Sequence, residues 1–152
     1  MLVSEAMTEN VKIANPDQTI REAARMMAQS DVGVLPVGEH NRLVGMITDR
    51  DIIVRAVAAG HGPDTPIEEV MSPEVKYCFD DDDVVGVARN MAELKVRRLP
   101  VLNRDKQLVG ILSLGDIALN DGDSAGDALS CISEPGGMHS QATDGSGMAR
   151  RA

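Results

Sequence analysis

The sequence predicts a mixed α/β (α+β) fold made of two copies of one β-α-β-β-α unit, and three observations lead there. Setting residues 3–37 over 67–101, an offset of 64, makes thirteen of thirty-five positions identical. Chance would give about two, so the chain carries an internal duplication. Apolar residues at helical spacing alternate with short apolar runs of strand length in each copy. Finally, Leu43-Val44-Gly45-Met46-Ile47-Thr48-Asp49-Arg50-Asp51-Ile52 returns as Leu108-Val109-Gly110-Ile111-Leu112-Ser113-Leu114-Gly115-Asp116-Ile117. Each is a buried-strand pattern, then a hydroxyl, two residues, and an aspartate opening an apolar segment.

Each copy begins with a short helical turn, ending at Met7-Thr8 or Met71-Ser72-Pro73. Thr65-Pro66-Ile67-Glu68 announces the second as a capping box with proline at the first helical position. A short extended piece follows, Val11-Lys12-Ile13 or Val75-Lys76-Tyr77. A helix comes next, with Ile20, Ala23, Ala24 and Met27 on its inner face in one copy and Val84, Val87, Ala88 and Met91 in the other. Asp17 or a neighbour starts the first helix, and the run Asp80-Asp81-Asp82-Asp83 starts and caps the second. Strands ending Leu35-Pro36-Val37 and Leu99-Pro100-Val101 turn back as hairpins through Gly38–Arg42 and Asn103–Gln107, and the proline places its strand near an edge or a bulge. The closing helix of copy one, Asp51 to Ala59, is apolar nearly all round and stops at Gly60. It reads as partly a subunit interface. The resulting boundaries are 3–60 for the first repeat, 61–66 for a linker and 67–120 for the second repeat. A short extension follows over 121–133, in which Asn120–Gly126 reads as loop and Asp127–Ser133 as one or two helical turns docking Leu129 and Ile132. The tail, 134–152, is expected to be disordered.

Composition excludes several functions. A net charge of −9 with one Tyr, one Phe and no Trp lacks both the basic footprint and the stacking surface of a nucleic-acid binder. No apolar run reaches the roughly 20 residues that span a bilayer, and the N-terminus has no signal pattern, so a cytoplasmic location without membrane attachment is expected. Cys78 and Cys131 have no paired spacing, and Cys78 reads as a small core residue. His40, His61 and His139 fall in turns or the tail. No Gly-rich phosphate loop, ligand cluster or nucleophile–base pair is visible, so the chain reads as a binder and not as an enzyme.

The doubled stretch is where binding is expected. Thr48, Asp51, Ser113 and Asp116 are ordinary helix-capping types, and one such motif would be only a cap. Two in equivalent places suggest more, since a carboxylate there can accept the hydroxyls of a ribose and a neighbouring hydroxyl can donate to a phosphate. Gly45 and Gly110 would allow a close backbone approach, or serve a tight sheet bend.

The two Leu-Pro-Val segments, each followed by Gly-x-x-Thr/Ser-x-x-Asp (Gly45 to Asp51, Gly110 to Asp116), resemble the CBS domain, and the pair resembles a Bateman module over about residues 3–120. The resemblance implies two repeats packed through their sheets about a pseudo-two-fold axis, with AMP, ADP, ATP or S-adenosylmethionine in the clefts between repeats. It further implies that Asp51 and Asp116 hold ribose and that Thr48 and Ser113 touch phosphate. Arg97-Arg98 stands where the first copy has Gly33-Val34 and resembles the phosphate-binding basic residues of nucleotide-sensing members. One stronger site using Thr48, Asp51, Arg97 and Arg98, with Arg50 nearby, is therefore predicted, and a weaker one around Ser113 and Asp116. Backbone near Ile13 and Tyr77 is the candidate adenine wall. The expected protein is a homodimeric adenine-nucleotide sensor acting on an unidentified regulated protein, with no resident cofactor. The alternatives are a ligand-free structural or oligomerisation module, and a metal or redox sensor using Cys78 and a histidine.

Overall fold

Helix starts and strand partners fix the elements of the computed structural model, which describes residues 1–73 and 75–134. In chain order they are α1 (Val3–Ala6), α2 (Ile20–Ser30), β1 (Val34–Glu39), β2 (Arg42–Thr48), α3 (Asp49–Asp51), β3 (Cys78–Phe79), α4 (Val84–Leu94), β4 (Arg98–Leu102), β5 (Leu108–Ser113), α5 (Leu114–Asn120) and α6 (Gly122–Ser133). A π-helical stretch, Ile52–Val57, prolongs α3, and a single 3₁₀ turn covers Ile67–Glu69. The fold is mixed helix and strand. Apart from Glu134, the tail with its expected disorder, and His139 in it, lies outside the described residues.

Two compact units form, and they cut the chain differently from the repeats. One holds Asn10–Lys76 with Arg104–Val109; the other holds Met1–Glu9, Tyr77–Asn103 and the chain from Gly110. They are called here the first and second units. In the first, β1 and β2 form an antiparallel hairpin whose two turn residues, His40 and Asn41, both have positive φ (54° and 63°). That is the primed geometry whose twist matches the strands. A register shift falls between Val37 and Gly38, one residue beyond Pro36, near the bulge or edge position that a proline without an N–H favours. Leu35, Val37 and Ile47 from the hairpin, Ile20, Ala23 and Met27 from α2, and Ala56, Ile67 and Val70 make the core of this unit. In the second unit β3, β4 and β5 form one sheet in that order, with Val84, Val87 and Met91 of α4 buried and Ile117 of α5 buried as well.

Several sequence expectations need correction. The extended pieces pair later than 11–13 and 75–77. Ala14 bridges Val37 in parallel, and its counterpart Cys78 pairs with Val101. These small inward residues fit against the sheet, whereas Lys12 and Ile13 are exposed. Thr19, two residues beyond Asp17, starts α2, in a reciprocal box with Glu22. Asp83 does cap α4, accepting from the N–H groups of Val85 and Gly86. Thr65 forms no capping box: its hydroxyl donates to the Gly62 carbonyl at 2.6 Å, and Pro66 takes the N-cap position. The closing helix of the first copy starts at Asp49 and is π-helical, with the Ala58 N–H reaching back to the Ile53 carbonyl at 2.9 Å. Gly60 (φ 84°) does end it.

The extension departs most. Asn120–Gly126 is not a loop: Asp121 caps a twelve-residue α6 through the Ser124 N–H and hydroxyl. It packs on α4 and α5 through the small residues Ala125 and Ala128, while Leu129 is exposed. Glycines at 122 and 126 mask this helix in the sequence, because they lower its intrinsic propensity. With α6 in place Ala88 is buried, but its counterpart Ala24 in α2, expected on the inner face, is exposed.

Candidate functional site

Each doubled stretch folds into the same corner. In the first unit β2 ends at Thr48, whose Oγ1 accepts the Asp51 N–H at 3.0 Å while Asp51 Oδ2 accepts the Thr48 N–H at 3.0 Å. In the second, Ser113 Oγ accepts the Asp116 N–H at 3.1 Å and Asp116 Oδ2 accepts the Ser113 N–H at 2.9 Å. The capping role is thus realised in full, satisfying two helix-end donors reciprocally. It does not exhaust the group, because a carboxylate has about four lone-pair sites. The other oxygen of Asp51, Oδ1, lies 3.7 Å from Arg55 Nε, with the Asp51 side chain only 15% exposed.

Arg55 is a contributor that the sequence reading passed over. Its guanidinium also donates to the Val70 and Met71 carbonyls at 3.4 and 3.5 Å. The i,i+4 spacing from Asp51 was the available signal.

The two glycines serve packing and not ligand approach. A Cβ on Gly45 would meet Met71 Sδ at 2.6 Å and the Ser72 carbonyl oxygen at 2.9 Å. One on Gly110 would meet Met7 Sδ and the Thr8 carbonyl oxygen, both at 2.8 Å. Backbone bridges Met46–Ser72 and Thr8–Ile111 lock these approaches. The repeated Met-Thr/Ser turn and the repeated glycine are thus one device used twice.

Of the remaining predicted residues, Arg50 and Ile13 belong to the first unit, and Tyr77, Arg97 and Arg98 to the second. Arg50, Arg97 and Arg98 are exposed and in no ion pair among the described residues. Tyr77 packs edge-on against Phe79, ring centres 5.6 Å apart. Ile13 lines a cavity of about 200 Å³ with Ala14, Asn15, Gly38, Asn41 and Leu108. Neither Thr48 nor Asp51 lines it, and it is smaller than a typical ligand pocket of about 300 Å³ or more. Cys78 is buried, its Sγ 3.9 Å from the Pro100 carbonyl, and burial followed by the nearby Asp82 charge pushes its pKa up to about 12. A thiol so held is inert. No group of three His, Cys, Asp or Glu side chains placed to hold a metal occurs among the described residues, and no described helix is long and apolar enough to cross a membrane.

Two hairpin-and-helix units, each with a hydroxyl–carboxylate corner, define a duplicated α/β module. The CBS domain model matches residues 3–57 and 67–123, and the chain belongs to the CBS-domain family. It is 44% identical over 133 residues to the CBS domain-containing protein YhcV of Bacillus subtilis, covering 86% of this chain and 94% of that one. Among solved structures, the CBS domain pair of protein MJ0100 in complex with 5′-methylthioadenosine and S-adenosylmethionine has a TM-score of 0.70 at 31% identity, covering 81% of this chain and 97% of that one. The complex of CBSX2 with AMP has a TM-score of 0.70 at 26% identity, covering 80% and 96%.

Proposed function

We propose that this protein is a regulatory sensor of adenosine-containing ligands. Asp51 and Asp116 accept the ribose hydroxyls, Thr48 and Ser113 contact the phosphate or its substitute, and Arg97 and Arg98 supply cationic donors to phosphorylated ligands. Ile13 and Tyr77 mark the backbone against which adenine lies, and Arg50 adds positive charge beside Thr48. The observation that carries this reading is the corner formed twice: a partly buried carboxylate, held in place by its own capping bonds, with acceptor capacity remaining. Adenosine ligands bound to the MJ0100 and CBSX2 pairs support it. Binding changes a partner's activity only through different affinity for two states of the sensor.

Self-association is part of the proposal. Ile53, Val54 and Val57 are 61%, 49% and 62% exposed on the π-helical stretch, an apolar surface that a second copy of the chain would cover. Without a ligand, the same surface supports a purely structural module. Thermal unfolding against AMP, ADP, ATP, 5′-methylthioadenosine and S-adenosylmethionine decides between them. Stabilisation by at least one is expected, since a ligand at 100 times its Kd adds about 2.7 kcal/mol. No shift with any of the five would leave the structural reading.

A further inference from the structure

The duplication allows one position to be compared in two chemical versions on one backbone. In the second unit the Leu114 N–H donates to the Arg97 carbonyl at 2.8 Å; in the first, the Asp49 N–H donates to the Gly33 carbonyl at 2.9 Å. Gly33 is the counterpart of Arg97, and Asp49 that of Leu114. The frame is the same and the side chains have changed together.

The change has a steric cause. A Cβ on Gly33 would lie 2.8 Å from Asp49 Oδ2 and 3.4 Å from Oδ1, with nothing else from another part of the chain nearer than the carboxyl carbon at 3.3 Å. The carboxylate rests directly on the glycine, in the space from which the Arg97 side chain departs in the other unit. It is held there by its Oδ1, which accepts the Arg50 N–H at 2.8 Å. Any larger residue at 33 would push the carboxylate off, so glycine and aspartate come as a pair, as do Arg97 and Leu114. A carboxylate therefore borders the position from which the second repeat extends an arginine side chain. Counting Arg50 and its counterpart Gly115, the four positions 33, 34, 49 and 50 carry no net charge, whereas 97, 98, 114 and 115 carry two positive charges.

We propose that the Gly33–Asp49 pair is a charge filter that makes the ligand position it borders disfavour phosphorylated adenosines and favour those whose 5′ substituent is neutral or cationic, while Arg97-Arg98 selects the phosphorylated ones at the other position. This rests on the adenosine-binding reading above and adds a division of ligand class between two ligand positions. It goes beyond a missing arginine, because the first repeat holds an opposing charge at the same place. Like charges meeting at a ligand contact suppress the wrong partner.

The test is calorimetry on the intact chain carrying Arg97→Ala/Arg98→Ala, so that the cationic repeat does not mask the other. The probes are AMP (anionic), 5′-methylthioadenosine (neutral) and S-adenosylmethionine (bearing a sulfonium). That chain should bind 5′-methylthioadenosine and S-adenosylmethionine more tightly than AMP. Adding Asp49→Asn, which keeps shape and removes charge, should raise AMP affinity about three- to tenfold at low salt with the neutral ligand unmoved. Gly33→Arg/Asp49→Leu, which transplants the other repeat's pair, should raise it further. Adenosine binding that persists with an unchanged AMP to 5′-methylthioadenosine ratio in both variants overturns the filter alone. A chain with Arg97 and Arg98 intact that binds none of the probes overturns the adenosine reading and the filter with it, whereas binding lost only when both arginines are replaced overturns the filter alone.

Discussion

Asp51 has two jobs in this structure that its variants can pull apart. As a cap it takes the Thr48 N–H at 3.0 Å and sits 3.7 Å from Arg55 Nε. As a proposed ribose acceptor it uses the remaining lone pairs. Asp51→Ala removes both, and loss of a helix-capping bond costs about 1 kcal/mol. For a chain of 152 residues that lowers the unfolding midpoint by about 2–4 °C. Asp51→Asn keeps an acceptor oxygen for the Thr48 N–H, so its midpoint should fall by less. The pairing with Arg55 adds little, because the Arg55 side chain is 52% exposed and its charge screened. Affinity should behave differently. A hydrogen bond to a charged acceptor contributes about 1.5–3 kcal/mol, so both variants should weaken the ligand that stabilises the native protein, Asp51→Ala by about tenfold or more. Calorimetry and thermal unfolding on the same samples separate the two effects. If Asp51→Ala lost stability as stated but kept native affinity, the carboxylate would be a cap and nothing else.

Other perturbations follow from the same contacts. Gly45→Ala and Gly110→Ala each drive a methyl into a backbone carbonyl oxygen, at 2.9 and 2.8 Å, and overpacking of that kind costs about 1–3 kcal/mol. Both should lower the urea midpoint similarly, and a silent Gly110→Ala would refute the shared device. Cys78 has its pKa raised from 9.0 to about 12, so between those values the unfolded thiol ionises while the folded one stays neutral. Stability contributed by the neutral thiol is complete below pH 9 and declines towards pH 12, by up to about 1.4 kcal/mol per pH unit. Cys78→Ala, the residue the first repeat carries at Ala14, should flatten that decline in urea titrations across this window. Ile53→Asp/Val57→Asp should convert a dimer to a monomer in sedimentation equilibrium; a native chain already monomeric at high concentration removes the self-association proposal.

Much of this architecture was legible because duplication lets each copy check the other. The helix faces, the hairpins, the proline-linked irregularity and the cap at Asp83 all rest on local chemistry, which side chains announce directly. What escaped depended on partners distant in sequence. Nothing near Gly45 says that Met71 and Ser72 lie on it, so close ligand approach and close backbone approach looked alike. Nothing near Val11-Lys12-Ile13 shows that pairing waits for Ala14. α6 was hidden by its glycines, since it is stabilised by packing on α4 and α5 and not by propensity. The candidate corners divided in the same way: the capping pairs Thr48–Asp51 and Ser113–Asp116 were readable from spacing, and the contacts of Arg55 and Gly33 were not.

What the two copies kept and what they let go point to function. The capping corners are retained to within about 0.1 Å in their hydrogen bonds, and so are the glycine-on-methionine approaches. A corner kept only to start a helix would not need the glycine four residues upstream of its first helical residue in both copies, nor the same turn seated on that glycine. These constraints fix where the strand ends and where the carboxylate points. Among the positions at which the copies differ are 33, 34 and 49 against 97, 98 and 114, beside these corners, and of these Asp49, Arg97 and Arg98 are exposed. Under the proposed adenosine reading, change at the rim of a preserved corner would alter which ligand is taken while leaving the way it is held intact, and the Asp49→Asn calorimetry measures that directly.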